Sequence, residues 1–457
     1  MSNIDIPVRA ADEAMQARML ERAVVKARNR LVPFLLLMFV LAFIDRVNVG
    51  FAKAHLQGAA GISDTAYAFG AGLFFVTYFL FEIPSNLGLH RFGAKIWMCR
   101  IMVAWGIVST GAALISGEKS FYFQRLLLGA AEAGFFPGMV LFLTFWFPAK
   151  WRLPIIALFY CGTPLSFVIG APISSAILGI GSRFGLAPYQ WMFIIEGLAS
   201  VIVGIWAFFY LSDKPNNAPW LDQHERNVLT SAIRQEEQEK IAAGPHSIVD
   251  CLRDTKLLRF IVTYVLIVMT NTVIQFFMPS QIAKLIGQNS GALVGVIVAL
   301  PWLCALIAVL TLPWLANKYK HSRWWGAAGL VAAAIGLIGS TSHSPLIAVA
   351  ALCFSLAGLY GSQPIFWQTL TKYLGGMSAV AGIAAVNAIG NLGGFFAPNI
   401  QSITMSLFGS AELGVFALAF TTFVGALLFI FLPRGAESAN VTLDTAVSAA
   451  GRLARRS

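Results

Sequence analysis

Four charged side chains pose the question: Asp45 and Arg46 in FVLAFIDRVNVGFA, and Arg125 and Glu132 in RLLLGAAEAGFFPG. Each stands in a run otherwise fit for lipid. An ion in hydrocarbon costs at least ~2.5–3.5 kcal/mol even on the lenient insertion scale, so such side chains must face a bundle interior or a wet cavity. Arg125 and Glu132 are seven residues apart. That is two helical turns, which puts both on one face about 10 Å apart. Arginine stays protonated, and its planar fork matches a carboxylate through two parallel bonds, so it can hold an organic anion. Loss of water disfavours the charged form of a carboxylate, which can then take a proton near neutrality. An acid beside each base can therefore exchange partners, a proton neutralising the acid while an anion claims the base. A second reading fits the same inventory: a structural network in which two acids neutralise two bases. Against it, apolar residues would join helices at least as well as a buried charged quartet.

The remaining polar groups divide the labour. In the second half of the chain the apolar runs hold no Asp, Glu, Lys, Arg or His in their interiors. Recognition of a ligand's body would fall there to Gln275, to Gln363 and Trp367, and to Asn387 and Asn391. The last two pairs are each four residues apart, hence on one helical face. Neutral amides both donate and accept, which suits hydroxyl groups. The bland alternative for each amide is a helix–helix hydrogen bond, and for Trp367 apolar packing. Tyr160, near a polar CGTP turn, is a weaker candidate. Glu82 in FEIPSN reads as a partner of Arg91 or Lys95, and Glu196 in WMFIIEGLAS as a brace between neighbouring segments. All six histidines lie in loops or at segment ends, so the proton-carrying role would fall to Asp45 and Glu132.

The elements that must position these groups are membrane helices. The chain is 457 residues long, 58% hydrophobic and only 12% charged, with mean hydropathy +0.73. Ordinary soluble domains carry about twice that charged fraction. Apolar runs of the roughly 20 residues needed to cross a bilayer recur along nearly the whole length. They fall near 31–51, 65–87, 96–116, 121–146, 154–180 and 189–211, then 257–279, 291–316, 322–341, 345–371, 377–408 and 411–433. The expected architecture is all-α and polytopic, twelve transmembrane helices in two six-helix halves, 31–211 and 257–433. A charged, Pro-punctuated linker at 212–256 joins the halves, and a tail covers 434–457. The first 30 residues carry six arginines and lysines without the apolar core of a signal peptide. Residues 11–30 are expected to form an amphipathic helix on the inner membrane face, making 1–30 a cytoplasmic N-terminal segment. Lys and Arg are concentrated in alternate loops, which puts both termini in the cytoplasm of an inner-membrane protein. The net charge of +11 is thus topogenic and does not mark nucleic-acid binding. The five scattered cysteines show neither metal spacing nor a disulfide framework.

After the second run comes NLGLHRFGAKIWM, and after the eighth PWLANKYKHSRWW. These short basic turns resemble the loop motif of the major facilitator superfamily. Arg91, Gly93 and Lys95 match it, whereas His90 and Asn317 stand at its acidic positions. AFIDRVNVGFA, YFLFEIPSNLGLHRFGA and FQRLLLGAAEAGFFPGMVLFLTFWFP are similar to the anion:cation symporter family within it, as are PIFWQTL and GIAAVNAIGNLGGFFAP to sugar-acid permeases. Rhamnonate and galactonate permeases are the nearest in feel, with phthalate, tartrate and hydroxyphenylacetate carriers close by. The resemblance implies that Asp45 and Glu132 are protonation sites, that Arg46 and Arg125 grip substrate carboxylate, and that Tyr78, Trp367 and Asn391 line the site.

The sequence thus leads to a proton-coupled carrier of a small organic anion that alternates access between the two membrane faces. Sugar acids are favoured as cargo; aromatic or dicarboxylic acids are the alternative. A receptor that senses an acid without moving it is the rival from another class, but it would need a signalling domain. No nucleotide-binding GxxxxGK[ST] loop, HExxH or GxSxG occurs, which argues against an ATP-driven pump or an enzyme. No cofactor and no metal are expected. The partners would be the anion, protons and lipid, with a single copy as the working unit.

Overall fold

Without water to bond the backbone, a spanning segment must satisfy its own N–H and C=O groups, and in this chain helices do so throughout. The computed structural model describes residues 5–242, 254–288, 291–319, 321–374 and 378–433. The first half comprises α1 (Asp5–Ala60), α2 (Asp64–Phe92), α3 (Ala94–Gly111), α4 (Glu118–Glu132), α5 (Phe135–Trp146), α6 (Ala149–Tyr160), α7 (Gly162–Leu178) and α8 (Pro188–Tyr210). The linker contributes α9 (Gln223–Ala242). The second half comprises α10 (Thr255–Leu285), α11 (Ala292–Lys318), α12 (Ser322–Gly339), α13 (Pro345–Leu374), α14 (Ser378–Asn391), α15 (Gly393–Phe408) and α16 (Ala411–Ile430). Ten of the described segments are long and apolar enough to cross a membrane, α4 with α5 counting as one. With α12 and the α14–α15 pair packed among them, they make the twelve-span plan expected from the hydropathy pattern. Large apolar side chains such as Leu80, Ile83, Leu87, Ile202, Phe209, Leu310 and Phe420 are exposed around the bundle, as a lipid-facing belt requires.

Among the described residues, three spans are broken rather than straight. The fourth breaks between Glu132 and Phe135, where Gly134 adopts φ +81°. A Cβ at Gly134 would also lie 2.5 Å from the Ser85 hydroxyl, so only glycine fits both the angle and the space. Pro137 then sits in the first turn of α5, where its missing N–H costs nothing. The fifth span bends at Cys161 and the eleventh at Leu392. All three breaks lie beside the central cavity described below, where neighbouring helices can satisfy the freed backbone groups.

The amphipathic helix expected over 11–30 is instead the first part of α1, continuous through Pro33 into the first span. Ala23, Val24 and Ala27 are buried there, and α9 covers this stretch. Lys26 Nζ donates to Glu225 Oε2 at 2.8 Å. The apolar stripe that suggested a membrane surface is thus satisfied by the linker helix. Glu225 also closes a reciprocal cap with Asp222, each carboxylate accepting the other's backbone N–H (3.0 and 2.8 Å). Residues 243–253 of the linker and the 434–457 tail lie outside the described residues.

The two halves meet most tightly at the end of the bundle away from α9. Here the Tyr67 hydroxyl lies 3.3 Å from the carbonyls of both Val49 and Phe276. Lys53, paired within the first half to Asp64 at 2.7 Å, lies 4.9 Å from the Phe277 ring of α10. The rings of Phe167 and Trp302 stack with centroids 3.8 Å apart. Beside them, a Cβ on Gly295 would stand 2.5 Å from the Ala171 carbonyl, so α7 and α11 touch backbone to backbone. Gly295→Ala should therefore force these helices apart, at the ~1–3 kcal/mol typical of overpacking, and lower the thermal midpoint of the purified protein. An unchanged midpoint would contradict the close approach.

Candidate functional site

Between the halves, at the level of the helix breaks, lies a cavity of about 110 Å³. α1 turns Arg46 into it, and α4 ends on Glu132 at its wall. Arg46 Nε donates to Glu132 Oε1 at 2.9 Å, and Arg46 Nη2 donates to the same oxygen. The guanidinium lies over three aromatic rings, Phe43 (4.8 Å), Phe74 (5.1 Å) and Tyr78 (5.3 Å). These faces offset part of the lost hydration of a cation held among apolar groups. Both charges sit in the half of the chain where the sequence concentrates them.

The opposite wall is neutral. Gln275, Gln363, Trp367, Asn387 and Asn391 all line the cavity, as do Tyr78 and Tyr160. Gln275 Nε2 donates to Asn271 Oδ1 (3.0 Å) and to the Tyr360 hydroxyl (3.1 Å), and that hydroxyl donates to Asn271 (2.6 Å). The indole N–H of Trp367 is buried without a partner. It is an unspent donor on the cavity wall. Asn387 Nδ2 instead reaches across the halves to Glu82 Oε1 at 3.2 Å. Glu82 thus does not meet Arg91 or Lys95: nine residues of helix separate it from Arg91, about 13 Å at 1.5 Å rise per residue.

The other two members of the charged quartet lie elsewhere. Asp45 is buried away from the cavity against α3 and α8. It accepts from Trp105 Nε1 (3.1 Å), from the Ser109 hydroxyl (2.7 Å) and from the Ser200 hydroxyl. Arg125 is also fully buried, over the rings of Phe74 (5.0 Å) and Phe276 (5.6 Å). Its Nε and Nη2 have no hydrogen-bond partner. Both guanidinium groups therefore rest on Phe74, with only Arg46 lining the cavity. The expected meeting of all four charges in one hollow is not what this conformation shows.

Asn271, Tyr264 and Tyr360, with Thr163 and Thr272, add further polar groups to the lining and were not singled out from sequence. A signal existed: Asn271 precedes Gln275 by four residues and Tyr360 precedes Trp367 by seven, so each shares a face with a residue that was. The loop residues Arg91, Gly93 and Lys95 lie far from the cavity, at the α2–α3 turn. There Asp213, at the start of the linker, accepts the Lys95 backbone N–H at 2.8 Å. Lys95 Nζ lies 4.5 Å from the Phe208 ring, and the Arg91 guanidinium 5.6 Å from that of Phe92. Among the described residues no cluster of His, Cys, Asp and Glu could hold a metal ion.

Comparison with known proteins agrees with this architecture. The chain is 38% identical over 418 residues to the inner membrane transport protein RhmT of Escherichia coli (strain K12), covering 92% of this chain and 97% of that protein. It is 40% identical to a provisionally named tartrate transporter of Agrobacterium vitis, with 91% and 95% covered. It is also 34% identical to a quinolone resistance transporter of Acinetobacter baumannii, over 87% of this chain and 92% of that protein. Among solved structures, a bacterial homolog of the human lysosomal transporter Spinster superposes with TM-score 0.72 at 13% identity, over 89% of this chain and 96% of that one. The xylose transporter XylE from E. coli gives 0.69 at 12%, over 90% and 98%. The family model of the Major Facilitator Superfamily matches residues 35–398. With two helical halves around a central cavity and this similarity along nearly its whole length, the chain is a multi-pass membrane transporter of the Major Facilitator Superfamily and not an enzyme.

Proposed function

We propose that the protein imports a small organic anion together with protons across the inner membrane, alternating the cavity between the two faces. The observation that carries this reading is the Arg46–Glu132 pair on the cavity wall. A permanently charged fork and a titratable acid share one contact, so an entering carboxylate and a proton complete one exchange: the anion takes Arg46 and the proton takes Glu132. Asp45 is the second proposed protonation site. Arg125, whose Nε and Nη2 have no hydrogen-bond partner behind Phe74, is the second proposed anion grip, reached when the halves rock. Both termini and α9 are assigned to the cytoplasm, which makes the tightly packed end the outer one in this conformation.

The neutral wall supports a hydroxylated cargo. Its amides, phenols and unspent indole N–H suit a hydroxylated acid of the aldonate type. Tartrate, named for a relative 40% identical to this chain, is hydroxylated in the same way. A flat aromatic acid without hydroxyl groups would offer no partner to the Trp367 indole N–H, at about 1–3 kcal/mol for that one buried donor. The direct test is uptake by proteoliposomes of rhamnonate, galactonate, tartrate, phthalate and nicotinate, with and without an inward proton gradient. Accumulation of a hydroxylated acid that collapses with the gradient is expected. Accumulation that ignores the gradient would remove proton coupling, and binding without any uptake would favour a receptor.

A further inference from the structure

Glu196 on α8 is a buried acid that the cavity does not use. Its Oε1 accepts from the Ser174 hydroxyl of α7 at 2.6 Å, and its Oε2 is buried with no hydrogen-bond partner. Two further uncommitted polar atoms belong to the same region. Asn48 of α1 is 2% exposed and faces the Glu196 side chain, with its Nδ2 making no hydrogen bond. Thr110 of α3 has an unpartnered Oγ1, packed where α3 crosses α8 at Gly197. Asp45 stands one turn before Asn48 on α1, and its partner Ser200 stands one turn beyond Glu196 on α8. The two carboxylates thus occupy consecutive levels of one α1–α8 contact. Hydroxyl, indole and amide groups surround them, and among the described residues no cation is hydrogen-bonded or paired to either.

A brace would look different. Joining α7 to α8 needs only a hydroxyl pair, such as the one Thr270 and Thr422 make in the other half at 2.6 Å. A carboxylate with one bare oxygen is a costly way to achieve that contact unless the oxygen also carries a proton. The groups facing Glu196 from the packed elements are Asp45 and Asn48 on α1 and Ser174 on α7, while Thr110 of α3 packs against the neighbouring Gly197. Glu132 in turn acts on Asp45 from α4. The next titratable side chain along this face is His55, beside Tyr189 at the other end of α8.

We propose that Glu196 and Asp45 form a proton-exchanging acid pair inside the first half, separate from the cavity. This deepens the proton-coupled reading, on which it rests, by adding a titrating residue to it. Protonated Glu196 can donate through Oε2 to Asn48 Oδ1. Release of that proton leaves a carboxylate that the Asn48 amide can meet with its N–H. The pair would then link the protonation of α8 to that of Asp45, on the helix that also carries Arg46.

The test is infrared difference spectroscopy of the full-length protein in liposomes through a pH titration with no acid substrate present. Wild type is expected to lose at least two protonated-carboxyl bands on alkalinisation. Glu196→Gln should delete one and shift the titration midpoint of the band assigned by Asp45→Asn. Ser174→Ala, which keeps the acid and removes only its hydroxyl donor, should move the Glu196 band in frequency without deleting it. Deletion of no band by Glu196→Gln, or an Asp45 band indifferent to residue 196, would overturn the proposal. Because no substrate is used, that failure is distinct from failure to transport organic acids.

Discussion

Glu132→Gln should abolish proton-driven accumulation, lowering the steady-state concentration ratio at least tenfold, while leaving exchange of internal for external anion measurable. Glutamine has nearly the shape of glutamic acid and can still accept from Arg46 Nε, so the wall of the cavity survives. What it cannot do is change charge. In this variant the guanidinium has lost its internal counter-ion, and the incoming carboxylate becomes the only partner that neutralises it. Binding therefore should persist or tighten, because the anion no longer competes with an acid. Return of the empty carrier should slow, because an unpaired buried arginine would have to cross the closed state; losing one partner of a buried pair costs about 3–5 kcal/mol. Counterflow and gradient-driven uptake in the same proteoliposomes separate the two effects. Undiminished accumulation by the variant would remove Glu132 from coupling.

How much of this was legible in the sequence depends on the kind of signal. The twelve-span plan was, because a bilayer leaves a chain no alternative to long apolar helices and the composition announces them. Arg46 and Glu132 were legible as cavity groups for the same reason: charge at that depth must face something polar. The fate of Asp45 is a matter of helix geometry. Adjacent residues on an α-helix diverge by about 100°, so with Arg46 in the cavity Asp45 must point elsewhere, here towards Trp105, Ser109 and Ser200. Arg125 and Glu132 do share a face as their spacing demands. The separation along that face nevertheless puts Arg125 on the sealed side of Phe74 and Phe276, and no local pattern encodes which state of the carrier is at rest. The small residues around Glu132, Gly129 and Gly134 among them, suit close helix contact. Contact is indeed made, but it was the left-handed conformation of Gly134 that sequence alone did not supply. The N-terminal stripe misled because an amphipathic face states only that it needs cover. Whether lipid or α9 provides it is a tertiary outcome.

Arg46→Lys should reduce uptake at least tenfold, mainly through weaker apparent affinity, although the charge is unchanged. The wild-type guanidinium reaches one Glu132 oxygen with two of its nitrogens and lies over Phe43, Phe74 and Tyr78 at once. A planar cation can stack and fork simultaneously. An ammonium is a compact, strongly hydrated point charge that satisfies one geometry at a time. A bidentate charged contact reduced to a single one forfeits about 1.5–3 kcal/mol, a factor of roughly 10 to 150 in affinity. Arg125→Lys is the informative comparator, since its guanidinium lies outside the cavity in this conformation. If the anion is captured first at Arg46 and reaches Arg125 only after the halves rock, Arg125→Lys should lower the maximal rate more than the apparent affinity. Uptake against substrate concentration reads both. Unchanged affinity in Arg46→Lys would contradict capture by the fork. Equal losses of affinity in the two variants would instead mean that both arginines face the anion from the moment it enters.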